Sequence, residues 1–186
     1  MILDGLLLFT GNARGATGTI ANGAYTDAPT TGTQDCSNII DLGELSGLPP
    51  SASGGGARDI GIGDDPAMKV MVAVTTAMVG GSSLQMQIQG APDNGTGGLG
   101  SWTVMWTGPA VALAALIQGA QIANVDMPKV IPGQPVPRFL KMTCVSGGTF
   151  TGGAIEATLV LDRFDQILGA TTGALSGYVP GITVPN

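Results

Sequence analysis

Residues 83–90 read Ser-Leu-Gln-Met-Gln-Ile-Gln-Gly, with Leu84, Met86 and Ile88 on one parity and Gln85, Gln87 and Gln89 on the other. Successive side chains of a strand point to opposite faces, so this alternation belongs to a strand with one dry and one wet side, not to a helix. The pattern recurs. Met68, Val70, Val72 and Val74 share a parity, as do Trp102, Val104 and Trp106 against Thr103 and Thr107. Ile155, Ala157, Leu159 and Leu161 alternate with Glu156, Thr158 and Asp162. Ser37–Leu42 and Arg138–Val145 add two more strand candidates, and Gln121–Met127 a weaker one. Glycine-rich turns punctuate them at Gly61–Pro66, Gly80-Gly81, Asp93-Asn94-Gly95, Gly147-Gly148 and Gly152-Gly153. About eight short antiparallel strands with no long helix predict an all-β, two-sheet sandwich. A single helical turn is expected near Ala114–Gln118.

The expected domain spans residues 1–163. Gly11–Gln34 and Ser46–Ala57 lack a hydrophobic period and read as loop insertions. Beyond Phe164 the chain loses alternation and ends in a proline-punctuated stretch, so residues 164–186 read as a C-terminal arm. The opening MILDGLLLFT is apolar, but no Lys or Arg precedes the run and Asp4-Gly5 interrupts it. It therefore lacks the pattern of a signal peptide, and it is too short for the ~20 residues of a membrane span. It reads as a strand with Ile2, Leu6, Leu8 and Thr10 on one face and Leu7 and Phe9 on the other. Both faces are expected to be buried, by the protein or by a partner, and no membrane association is expected.

The chemistry-bearing residues are sparse. The chain contains no His, which removes the usual general base and the commonest metal ligand. Ser/His/Asp and Cys/His arrangements are impossible, and a cupin-type metal site loses its ligands. Cys36 and Cys144 are the only cysteines, expected as two reduced, buried thiols, although a disulfide between them stays open. Cys144 shares the parity of Leu140 and Met142, which is a core position. Asp64-Asp65 lies in a Gly/Pro turn and reads as a polar turn, with Ca²⁺ ligation as the alternative. Nothing pairs two carboxylates across a cleft as a glycosidase requires. The stretch GGGARDIGIGDD lacks the Lys-Ser/Thr ending of a phosphate loop. No enzyme activity, cofactor or metal is expected.

What remains is adhesion. Charged residues are 11% of the chain against the usual ~25%, so much of the surface is expected to face other protein. The seven basic residues are scattered and net charge is −6, which argues against nucleic acid. In so charge-poor a chain the arginines Arg58, Arg138 and Arg163, with Asp59 and Asp162 beside two of them, are candidates for specific ion pairs inside the fold or across an interface.

The segments MILDGLLLF, SNIIDLG, ARDIGIGDDPAMKVMVAV, SLQMQIQGAPD, PRFLKMTCVSGGTFTGG and ATLVLDR, in this order, resemble the capsid cement (decoration) proteins of tailed phages, of the Bordetella podophage type. The resemblance runs from residue 1 to near Arg163. It implies a jelly-roll fold and a place on the outer surface of the virion, with assembly in the host bacterial cytoplasm. It also implies symmetric self-association, as a homodimer or homotrimer, that bridges neighbouring major capsid proteins and stabilises the expanded shell. No catalytic residue is carried over. Ile2, Leu6, Leu8, Phe9, Arg58, Asp59, Arg138 and Arg163 are the candidate oligomer or capsid contacts. The two loops and the tail exceed the family's pattern and are expected to be arms fitted to a particular capsid. A carbohydrate- or receptor-binding sandwich is the alternative, with Trp102 and Trp106 as its platform, although their shared parity with Val104 favours core. A tail or baseplate structural protein is another.

Overall fold

The computed structural model describes residues 7–11, 18–23, 25–42, 68–128 and 137–160. They form an all-β, antiparallel structure of nine strands with one short 3-10 turn. The strands are β1 (Ala21–Asn22), β2 (Asp27–Ala28), β3 (Thr31–Asp41), β4 (Lys69–Gly80), β5 (Ser83–Ala91), β6 (Thr103–Thr107), β7 (Val111–Ala112), β8 (Gln121–Asp126) and β9 (Phe139–Val160). No helix among the described residues is long and apolar enough to cross a membrane.

The organising element is β9. Its first half pairs with β3 on one edge and β5 on the other, while its second half pairs with β2 and β4. β4 and β5 follow one another along the same edge of β9, from Lys69↔Val160 through Gly80↔Phe150 and Ser83↔Gly147 to Ala91↔Phe139. Two long antiparallel ribbons therefore turn a corner side by side. On one side of the corner lies the sheet β1-β2-β9-β4-β8, and on the other β3-β9-β5 with β6 and β7 beside β5. Strands that switch sheets by bending make the corners of such sandwiches.

Glycine makes the bend. Gly81 sits at φ +66°, and a Cβ there would meet the Phe150 ring at 2.8 Å. Gly153 sits at φ +116° against Met78. Both positions combine a backbone that L-residues resist with a close approach that leaves no room for a side chain. Gly80-Gly81 separates β4 from β5 as expected, whereas Gly147-Gly148 and Gly152-Gly153, also expected to end strands, lie within the continuous β9. Arg138–Val145 and Ile155–Asp162, expected as two strands, fall from Phe139 to Val160 in a single 22-residue β9.

The core lies between the sheets and follows the alternation. Val70, Val72 and Val74 of β4, with Ile155, Ala157 and Leu159 of β9, face Leu84, Met86 and Ile88 of β5 and Leu140, Met142 and Cys144 of β9. The outer faces are not uniformly wet. Met71, Thr158 and Val160 are buried on the outside of the first sheet, as is Thr143 on the outside of the second. Alternation marks which side faces the core, but not how far the other side is covered.

The expected loop Gly11–Gln34 contains more order than its composition implies. β1, β2 and the start of β3 fall inside it. Thr31–Gln34 pair with β9 yet are mostly solvent-facing, so they carry no hydrophobic pattern. The expected helical turn is the 3-10 turn Leu113–Ala115, one residue ahead of its predicted start. Residues 46–57 and 164–186, read as loop and arm, lie outside the described residues.

Candidate interaction surface

The apolar opening segment is built into the sandwich. Phe9 N donates to Ala157 O at 2.9 Å, Leu159 N donates to Leu7 O at 2.9 Å, and Leu8 bridges Thr158, so residues 7–9 extend the β9 edge beyond β2. Phe9 O then accepts from Asn38 N of β3 at 2.9 Å. The segment laces one sheet to the other. Leu8 and Phe9, on opposite parities, are both buried, at 1% and 0% exposure, as the two-faced pattern implies. Their side chains are occupied within this chain's own fold. Ile2, Leu6, Arg58, Asp59 and Arg163, with the Asp64-Asp65 turn, lie outside the described residues.

The seam is closed by a buried polar knot. β3 loses register with β9 between Asp35 and Ile39, leaving Cys36, Ser37 and Asn38 as a bulge. There Asp27 accepts from Ser37 N at 2.7 Å, Gly11 N at 3.0 Å and the Ser37 hydroxyl. Asn38 Nδ2 donates to Thr10 O at 3.0 Å. The Asp27 carboxyl is fully buried, and burial pushes its pKa up although these donors pull the other way. It satisfies the Ser37 amide, which the bulge removes from the ladder, and the Gly11 amide of the opening segment.

Arg138 ties three elements at the opposite end of β3. Its Nε reaches Asp41 Oδ1 at 3.0 Å and its Nη2 reaches Asp41 Oδ2 at 3.2 Å, while Nη1 binds Asp93. Asp93 also accepts from Gly95 N at 2.7 Å and Gly97 N at 3.0 Å, shaping the turn after β5. Desolvation works against the Asp93 carboxylate, but the Gly97 amide, the Arg138 guanidinium and the Gly95 amide outweigh it and hold its pKa below the ordinary value. Of the three arginines singled out, this one makes ion pairs inside the fold.

The tryptophans separate. The β5–β6 register shifts between Ile88 and Gln89, so Trp106 lies opposite Ile88 and packs against the core, while Val104 lies opposite Gln89 and is exposed. The expected common face of Trp102, Val104 and Trp106 is thus broken by a bulge at Met105, which inserts one residue and reverses the parity. Trp102 lies on the outer face, under the Lys141 ammonium at 4.6 Å from its ring centroid. Lys141 in turn pairs with Asp35 at 2.8 Å.

No group of three His, Cys, Asp or Glu side chains among the described residues could hold a metal ion. The surface that stands out is apolar. Among the described residues, Val79 and Ile117 are the most exposed large hydrophobic side chains, at 56% and 61%. Met78 N donates to Leu116 O at 3.0 Å, which brings their neighbours together at the β4–β5 corner. Ala77, Ala114 and Ala115 are exposed in the same segments. Sequence reading missed this patch because its residues fall outside any periodic run. Its one legible signal is a gap in charge: between Val70 and Val125 the only charged residue is Asp93.

No curated protein matches the chain. A protein-family model described as Bbp16 matches residues 17–159, which takes in most of the sandwich and leaves out the MILDGLLLF start and the end of ATLVLDR. The match covers well over half of the sequence, and the name suggests a family of Bordetella phage proteins. The chain belongs to the Bbp16 family.

Proposed function

We propose that this protein is a structural capsid cement protein of a tailed phage. It binds the outer surface of the head and bridges neighbouring major capsid proteins to stabilise the expanded shell. The observation that carries the reading is the charge-free, apolar corner around Val79 and Ile117. Interface cores are depleted of charge. The Bbp16 membership and the resemblance of its segments to decoration proteins support the same reading. The chain has no His to run acid–base chemistry, which suits adhesion.

The mechanism is multivalent. A symmetric homodimer or homotrimer meets several capsid subunits at once, so modest contacts reinforce one another through effective concentration. A protein that binds only the expanded lattice stabilises that state by mass action. The test is size-exclusion chromatography with light scattering, followed by incubation with undecorated heads and cryo-EM. A defined oligomer that adds density outside the shell is expected. A monomer that ignores heads would overturn the reading.

A second reading, a carbohydrate-binding sandwich, is favoured by Trp102 on the outer face near Gln89, which pairs with Lys141 in register. Lys141 occupies one face of that ring. Binding to a glycan array by protein that ignores heads would favour it.

A further inference from the structure

Cys36 and Cys144 are separated by 108 positions in the chain, yet their sulfurs lie 3.6 Å apart in the core. They are the chain's only cysteines, and both are free and buried. The bulge brings them together: Cys36 leaves the regular ladder between Asp35 and Ile39, and Cys144 projects inward from the first half of β9. We propose that this pair is an oxidation site, at which a peroxide converts the two thiols into a disulfide that staples β3 to β9. The inference concerns the chain alone and does not depend on the capsid reading.

A disulfide needs its sulfurs at about 2.05 Å, so they must approach by roughly 1.5 Å. Cys36 lies outside the β9 ladder, but Asp35 and Ser37 on either side of it are held by Thr19 and Asp27, so the approach needs the bulge to open. Hydrogen peroxide suits a dry site, being small and uncharged. The Cys36 sulfur attacks peroxide, a sulfur–oxygen bond forms, the oxygen–oxygen bond breaks, and water leaves. The Cys144 sulfur then attacks Cys36, the sulfur–sulfur bond forms and a second water leaves. Two thiols lose two electrons and two protons, and one peroxide becomes two waters. The Cys144 sulfur, followed by burial, pushes the Cys36 pKa well up, so thiolate is scarce and the reaction waits on local opening of the bulge. The closed bond encloses β4 to β8 and ties the edge strand that receives the opening segment to the strand shared by both sheets.

The test compares full-length protein kept in a phosphine reductant with protein treated with hydrogen peroxide and then freed of it. The expected product is monomeric on non-reducing gels, has no titratable thiol in denaturant, has lost the mass of two hydrogen atoms, and yields a Cys36–Cys144 cross-linked peptide. Its unfolding constant in urea falls at least about thirtyfold, the lower end of the usual range for a disulfide, and re-reduction restores it. Cys36→Ser gives no such species. If that variant does not fold, the wild-type cycle of oxidation and re-reduction decides alone. Two persistent thiols, added oxygen mass without a cross-link, or disulfide-linked dimers would each overturn the proposal.

Discussion

Arg138 and Asp41 meet as a fork on a fork, Nε to Oδ1 at 3.0 Å and Nη2 to Oδ2 at 3.2 Å. The two residues are 97 positions apart, at the end of β3 and the threshold of β9. A planar guanidinium can make this paired contact while its third nitrogen holds Asp93, and an ammonium cannot. Arg138→Lys is therefore expected to destabilise the fold although charge is kept. In a double-mutant cycle with Asp41→Asn, urea denaturation should return a coupling of about 0.5–1 kcal/mol, modest because Asp41 is well exposed and screened by solvent.

The same cluster sets an acid limb. The Asp93 pKa is lower in the fold than its ordinary 3.8, so its contribution is fully present above pH 3.8 and is lost as pH falls through the folded-state value. Asp93→Asn should flatten the decline in stability below that pH, read from urea midpoints across an acid series.

Glu156 should act with the opposite sign. Burial raises its pKa above the ordinary 4.5, so the folded state resists its charge. That penalty is absent below pH 4.5 and is complete once pH has risen past the folded-state value. Glu156→Gln is expected to be more stable than the parent at pH 7 and to lose the advantage below pH 4.5. An equal advantage at both pH values would count against burial as the cause.

At the sheet corner, Gly81→Ala places a Cβ against the Phe150 ring on a positive-φ backbone. The expected cost is about 1–3 kcal/mol, measured by denaturant midpoint with an unchanged slope. A neutral outcome would mean the corner is softer than its geometry implies.

The apolar patch makes the contrasting prediction. Val79 and Ile117 are exposed, so Val79→Ser with Ile117→Ser should change stability by no more than about 0.5 kcal/mol per site. On the proposed function, the same variant should lose binding to undecorated heads, followed by co-sedimentation. Undiminished binding would place the contact elsewhere.

Several elements were legible in the sequence because one physical rule governed them locally. SLQMQIQG alternates in β5 as it does on paper, since a sheet with a dry face sorts side chains by parity. Cys144 falls in the core for the same reason. Where the local rule was broken, the reading failed. One inserted residue at Met105 reversed the parity of Trp102 and Val104 relative to Trp106, and a bulge leaves no mark in hydropathy. Thr31–Gln34 looked like loop because an exposed edge segment buries too little to be patterned.

The sequence by itself determined the class: alternation with glycine punctuation demands antiparallel sheets, and the absence of His removes the commonest catalytic chemistry. Tertiary structure alone decided how those strands connect. Gly147-Gly148 reads as a turn between strands, and only pairing with Ser82 and Ser83 across the corner carries β9 through it. Partners for Arg138, Asp27 and Cys36 were likewise settled by the fold. Hydrogen bonds and sulfur contacts act over a few ångströms, and residues brought that close by a bent sheet can lie more than a hundred positions apart.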